Sequence, residues 1–411
     1  MINNTLILTR ISYKNHNSRP ETCSVWDAYT NALDTLIENV YTIDYYDLYF
    51  KHGHIGFKNE IERSIQDNKI QYLFICYMAE DYTFDLNFLV YLKHKYQLCI
   101  INTSQDPETF FEPRDRYYNQ IADYILPFAI LPNNCIYANY NLASITLYSI
   151  YNKDMFYDEK IPKTIDVSFI GNVNKANRRE IIDFLKNKGI KIETYGSGSK
   201  NGFINHTKMM NIINSSKINL NFTESALSQH FDFNTNTNFP IGTHINSRIQ
   251  QAKGRLIEIY LTNSFCLSQD GPGTRQLFNN ENIVFKDKYD LLKKINYYLA
   301  NQEETIKITT DLQQLAIKKF DAINRLKTVL PQLKYKSKYI NILYVDKEFI
   351  TNYTSYHFLF FFNFLFKLKL KLALQEVPIF LKYRYFNFNT IYSHLKMQSI
   401  YAYKRVRNMQ K

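Results

Sequence analysis

Two α/β domains, each a parallel sheet covered on both faces, are what this chain of 411 residues predicts. Three observations predict them. Apolar runs without in-and-out alternation recur along the chain, separated by segments of helical period, which is the pattern of strands buried on both faces. The series stops at the polar, proline-containing segment 158–163 and then starts again. The length suffices for two domains of ordinary size, each with its own core. Right-handed crossovers between parallel strands then make each domain doubly wound.

In the first half, residues 5–9 read as a strand, 26–37 as a helix and 40–43 as a strand. A helix at 57–65, a strand at 71–77, a helix at 84–94 and a strand at 98–101 follow. In the second half, 166–171 is a strand and 177–188 a helix closed by Gly189, a residue type suited to the position just past a helix end. Strands at 190–195 and 217–222 flank a helix at 207–213. A polar, Asn-rich insertion at 223–246 precedes a helix at 248–261, strands at 264–268 and 283–285, and a helix at 289–299. In that last helix Leu291, Leu292, Ile295 and Leu299 form a core stripe. The insertion reads either as a lid or as a disordered segment. The expected domains are therefore 1–157 and 164–330, with an extension at 331–411. Ligands of open α/β sheets bind beyond the carboxyl ends of the strands, so the reacting groups belong in a cleft between the two domains.

Composition sets bounds on function. With 45% hydrophobic and 21% charged residues the chain is an ordinary globular protein, not a disordered one. Its five cysteines are scattered without a C-x-x-C pair, which indicates neither a zinc site nor a disulfide framework and fits a reducing cytoplasm. The start lacks the apolar core of a signal peptide, and no segment offers the roughly 18 uncharged apolar residues of a spanning helix. The net charge of +12 sits mostly in the tail, where residues 351–411 carry ten Lys and Arg against the single acid Glu376. The near-neutral body is therefore not a basic nucleic-acid-binding module.

The most informative stretch is Lys253-Gly254-Arg255-Leu256-Ile257-Glu258, followed by Asn263-Ser264-Phe265-Cys266-Leu267-Ser268 and Gly271-Pro272-Gly273. It reads as a cation and a carboxylate on the first turns of a helix, then a buried strand, then a glycine-bracketed loop. Before it come the 166–171 strand ending in Gly171, Arg178-Arg179 at the start of a helix, Tyr195-Gly196, and Ser216-Lys217-Ile218-Asn219-Leu220-Asn221. After it come Leu277-Phe278, Asn282-Ile283-Val284-Phe285 and Tyr297-Tyr298-Leu299. In this order the motifs of residues 160–330 resemble the C-terminal domain of the CgeB-like (spore maturation protein-like) glycosyltransferases, a GT-B-type group. The resemblance implies two Rossmann-like domains facing a cleft. It also implies a nucleotide-sugar donor, a glycan or lipid-linked acceptor, and a setting in bacterial surface polysaccharide synthesis. No metal or other cofactor is implied, and the chain contains no Asp-x-Asp.

Arg255 and Lys253 would then neutralise the departing diphosphate, and Glu258 resembles the glutamate that holds the donor ribose. Ordinary i,i+3 charge support between Arg255 and Glu258 is the competing reading. Gly171 and Asn172 follow a strand and precede a helix, so backbone N–H groups there suit phosphate as well as a plain turn. Arg178 is a second phosphate ligand, unless Arg179 faces the cleft instead. Gly271, Gly273 and Thr274 form either a donor loop or a simple turn, and Tyr195-Gly196 line the nucleotide base. A base that activates the acceptor is expected at strand ends of the first domain, where Glu80, Asp81 and Asp106 stand; N-caps and loop acids are the alternative for each. His52-Gly53-His54 reads as a surface loop.

The tail joins an aromatic run, 358–366, to Lys367, Lys369 and Lys371. Contact with an anionic membrane through 358–411 is the expected use, and packing of the aromatics on the body is the alternative. The expectation is a cytoplasmic glycosyltransferase, peripheral on the inner membrane face, that binds no nucleic acid. A non-catalytic GT-B-like scaffold and a nucleic-acid-binding protein using the tail are the rival readings.

Overall fold

The computed structural model describes residues 2–9, 25–77, 81–104, 110–128, 144–225, 249–250, 253–383 and 392. Strands β1 (Thr5–Thr9), β2 (Val40–Asp44), β3 (Tyr72–Tyr77), β4 (Cys99–Ser104) and β5 (Tyr124–Ile125) form one sheet in the order β2-β1-β3-β4-β5. Every pairing is parallel. β1, β3 and β4 are buried along their whole length, as the unbroken apolar runs require, while edge strand β2 is half open. The two-residue strand period splits the core. Leu6 and Leu8 face α2 (Tyr45–Asp67) and α3 (Leu86–Tyr96), whereas Ile7 faces α1 (Val25–Leu36).

α2 begins twelve residues earlier than the periodicity suggested, because Asp44 caps it through Tyr46 N and Asp47 N, and Gly53 at φ +69° breaks its phase. His52-Gly53-His54 thus lies inside a kinked helix, not in a surface loop.

The second sheet contains β6 (Ile165–Ile170), β7 (Ile192–Tyr195), β8 (Ser216–Asn221), β11 (Cys266–Gln269) and β12 (Val284–Phe285). Its order is β12-β11-β8-β6-β7, again all parallel, so the two domains share one winding. α4 (Arg178–Asn187), α5 (His206–Ser215), α6 (Gly254–Leu261), α7 (Pro272–Leu277), α8 (Lys288–Ala300) and α9 (Gln302–Phe320) surround it. A short antiparallel ribbon, β9 (Glu224–Ser225) with β10 (Ile249–Gln250), occupies residues expected to open a helix at 248. The helix starts at Gly254 instead. The rest of the 223–246 insertion lies outside the described residues.

The chain crosses between domains twice at one place. Tyr151 N–H donates to Phe320 O at 2.9 Å, and Ala322 N–H donates to Tyr151 O at 2.8 Å. Helix α10 (Ala322–Val329) then packs Ala322, Leu326 and Val329 into the first domain against Tyr29, Leu33 and Ile150. The boundary expected at 330 therefore moves to Phe320.

The extension also belongs to the first domain. α11 (Lys347–Phe366) and α12 (Leu370–Tyr383) bury Phe349, Tyr353, Phe360, Phe364 and Phe380 in the cluster that holds Tyr45, Tyr49 and Phe57. Much of the aromatic run assigned to a membrane is thus spent on the body. At the centre of this contact Tyr49 Oη donates to Glu376 Oε1 at 2.6 Å, and His357 Nδ1 lies 2.8 Å from Glu376 Oε2. Arg384, Tyr385 and residues 393–411 lie outside the described residues. No helix among the described residues is long and apolar enough to cross a membrane.

Candidate functional site

Strand order β7-β6-β8 places the topological switch of the second sheet between β6 and β8, where the connections leave in opposite directions. Arg178 sits over that point. It opens α4, is 6% exposed, and donates from Nη1 to Asn172 O after β6 and from Nη2 to Glu224 O after β8, both at 3.1 Å. Its guanidinium lies 5.8 Å from the Phe169 ring and 6.0 Å from the Phe222 ring. Its Nε has no hydrogen-bond partner, and no carboxylate lies within ion-pair distance among the described residues. Burial accordingly pulls its pKa down to about 10, and the more distant Glu224 only partly restores it. A buried cation held by carbonyls at a strand-end crevice is an anion site in waiting.

Arg179 points elsewhere, to Asn174 Oδ1 and Gly198 O. Of the two arginines, Arg178 is therefore the one enclosed at the strand ends.

Gly171 and Gly196 end the neighbouring strands β6 and β7 and touch. A Cβ on Gly196, at φ +107°, would lie 2.4 Å from Gly171 O. The Gly171 N–H is taken by Tyr195 O at 2.9 Å, so it is not the phosphate donor that the sequence suggested. Asn172 folds its side chain over Asn174 N at 2.9 Å, while its own N–H makes no hydrogen bond among the described residues. Tyr195 turns its hydroxyl to Glu193 on the same strand, which with burial pushes its pKa up to about 12.

The N-terminus of α6 faces the double crossing. A Cβ on Gly254 would fall 1.8 Å from Tyr151 Oη, so only glycine lets this helix approach the junction. Lys253 precedes it as the N-cap residue. Arg255 pairs with Glu258 one turn on, the arrangement of the competing reading, and its Nη1 also contacts the Met209 sulfur. The pair is angled so that the buried Glu258 Oε2 lacks a hydrogen bond. Burial, and then the Glu258 charge, hold the Tyr151 hydroxyl well above its ordinary pKa.

The glycine-bracketed loop is the start of helix α7, with Gly271 as its N-cap and Gly273 inside its first turn. Thr274 is fully buried, and its hydroxyl staples α7 to Ser268 Oγ at 3.1 Å, so it is not available to a donor. Arg275 clamps Asp270 with Nε at 2.9 Å and Nη2 at 3.1 Å. Thr223 and Gln269 fix the backbone that presents Glu224, through Thr223 Oγ1 to Asp270 O at 2.9 Å and Glu224 N to Gln269 Oε1 at 3.2 Å. Sequence reasoning missed Glu224 and Tyr151, since both act through position and neither belongs to a motif.

On the first domain, Asp81 is sealed at 1% exposure. It accepts Tyr45 Oη on one oxygen, and Thr83 N at 2.9 Å and Thr83 Oγ1 at 2.6 Å on the other. A carboxylate so satisfied holds its loop and is no acceptor base. Glu80 and Asp106 lie outside the described residues.

Residues 178–331 match the glycosyl transferase-like family. No curated protein matches the chain. Among solved structures, a sucrose-phosphate synthase from Thermosynechococcus elongatus is similar at TM-score 0.51 and 10% identity, covering 81% of this chain and 99% of its own. HepE of Anabaena, solved in complex with UDP and glucose, gives TM-score 0.52 and 12% identity over 81% of this chain and 99% of its own. These likenesses show the fold, two Rossmann-like domains in the GT-B arrangement. Fold and family match together support a glycosyltransferase of the GT-B type.

Proposed function

We propose that the protein moves a sugar from a nucleotide-sugar donor to a glycan or lipid-linked acceptor, with the donor held by the second domain. The observation that carries this reading is Arg178, a buried guanidinium at the switch point of a parallel sheet that no carboxylate among the described residues pairs with. A diphosphate is the ligand that a planar cation with a neighbouring backbone N–H, that of Asn172, suits best. Arg178 then stabilises the charge that develops on the phosphate as the sugar departs, and the proposal gives this task to side chain and backbone without a metal ion.

Glu258, whose Oε2 lacks a hydrogen bond, accepts from the donor ribose hydroxyls, with Arg255 paired beside it. The uridine nucleotide bound in HepE makes UDP-sugars the first donors to try. The group that activates the acceptor belongs to the first domain, with Asp106 and Glu80 as its candidates. A setting in surface polysaccharide synthesis is what the resemblance of residues 160–330 to the CgeB-like glycosyltransferases implies.

Glu258→Gln keeps shape and removes charge. Steady-state kinetics of donor hydrolysis should then show KM for the nucleotide-sugar raised by roughly 10- to 100-fold, the worth of a charge-assisted hydrogen bond or two. An unchanged KM would remove Glu258 from the donor site.

A further inference from the structure

Helix α12 is apolar on the face turned away from the protein as well as on the face turned toward it. Ala373, Glu376, Ile379 and Phe380 lie against the first domain. Leu370, Leu374 and Leu381 stand at i, i+4 and i+11 and make a second stripe on the solvent side. With Phe366 at the end of α11 and Leu368 in the turn that follows, these side chains are between 61% and 86% exposed. A contiguous apolar ridge of this kind marks a contact surface.

Charge identifies what it contacts. Lys367, Lys369, Lys371 and Lys382 are exposed between and beside the leucines. The single acid of residues 351–411, Glu376, is buried on the opposite face in its bonds to Tyr49 and His357. From residue 351 to 383 the described surface of the hairpin therefore offers ammonium groups and hydrocarbon with no compensating carboxylate, and Glu348 stands at the far end, in the first turn of α11. Lys367 lies 4.9 Å over the Phe50 ring and Lys369 Nζ donates to Phe50 O at 3.0 Å, which gathers two cations at the tip.

We propose that this ridge docks the first domain on an anionic lipid surface, with the leucines and Phe366 in the acyl boundary and the lysines among the phosphates. The buried Glu376 network fastens α11 and α12 to α2, so the ridge is presented by a rigid element. Lysine is depleted from the cores of protein–protein interfaces, which argues against a protein partner. Leucine offers no π face to a base, which argues against single-stranded nucleic acid. Interfacial binding needs an apolar stripe flanked by basic side chains, and this hairpin has both. The inference is independent of the donor site, which lies on the other domain.

The test is flotation of the full chain with vesicles of phosphatidylcholine alone and with phosphatidylglycerol added. The wild type should float with the anionic vesicles only, and the bound fraction should fall as salt rises. The pair Leu370→Asp and Leu374→Asp should abolish flotation. Lys367→Glu, Lys369→Glu and Lys371→Glu together should lower the partition coefficient by more than ~100-fold, since each basic residue near an anionic surface contributes about 1 kcal/mol. Salt titration of the wild type carries the test even if a variant folds poorly.

Failure of the wild type to float, equal flotation with neutral vesicles, or wild-type flotation of the leucine variant would overturn the proposal. So would a wild-type dimer that the leucine variant renders monomeric without any flotation, since a second copy would then cover the ridge.

Discussion

The guanidinium of Arg178 is held where its charge is disfavoured: 6% exposed, flanked by Phe169 and Phe222, with carbonyls in place of a counter-ion. Its pKa near 10 lies below the ordinary arginine value, so it stays protonated at neutral pH and its desolvation weighs on the folded state there. That weight is relieved only as pH climbs above 10, or when an anion arrives. Arg178→Met removes the charge and keeps the stem. Its thermal midpoint should equal or exceed that of the wild type, because apolar replacement of a buried charge is often neutral or stabilising. A residue kept for stability alone would behave in the opposite way.

Sequence reading chose Arg178 but left Arg179 beside it as the alternative. Two arginines in the first turn of a helix differ by about 100° in direction, and only the loops after β6 and β8 decide which one is enclosed. The roles of Glu224 and Tyr151 were not legible, because both are set by three-dimensional neighbours far away in the chain.

At the scale of elements, α6 is positioned by the absence of a side chain. Gly254→Ala would set a methyl group 1.8 Å from Tyr151 Oη, so denaturant unfolding should show a loss of about 1–3 kcal/mol, the usual range for overpacking. Tyr151→Phe in the same chain should recover part of that loss, because the nearest remaining ring atom, Cζ, stands at 3.0 Å. Additive losses in the double variant would refute the contact.

The kinked α2 supplies a second case. Burial, followed by the His357 and Lys58 charges, pushes the His54 imidazole from 6.5 down to about 3. The unfolded chain therefore takes up a proton between those values that the folded chain refuses, and stability falls as pH drops from 6.5 toward 3. His54→Gln should flatten that part of the pH–stability curve, as followed by urea unfolding at successive pH values. An unchanged slope would mean that His54 titrates normally.

Strands were the most legible elements, since full burial makes β3 and β4 apolar throughout. α2 was half legible, because Gly53 shifts the phase of its apolar positions. The tail was legible as aromatic and basic but not as packed. Nothing in a run of phenylalanines distinguishes a ring that meets lipid from one that meets Tyr49.

Over the whole molecule, one sheet order is used twice, and the two domains are joined where Tyr151 and Phe320–Ala322 lie side by side. This junction touches the N-terminus of α6 through Tyr151, so the element that carries Arg255 and Glu258 abuts the point where the domains meet. α10, α11 and α12 all return to the first domain, which makes it the larger body and leaves the second domain as a unit ending at Phe320. The restart of the α/β pattern after residue 163 made two domains legible from the sequence. The return of α10 was not, because a helix that crosses between domains has the same period as one that stays.

If Arg178 anchors the diphosphate of a nucleotide-sugar, calorimetric titration of UDP and UMP into wild type and Arg178→Met will reveal it. The wild type should bind the diphosphate more tightly than the monophosphate. In Arg178→Met the affinity for UDP should fall by roughly 10- to 100-fold, with the preference for the second phosphate largely gone. UDP binding by Arg178→Met as tight and as selective as that of the wild type would contradict it.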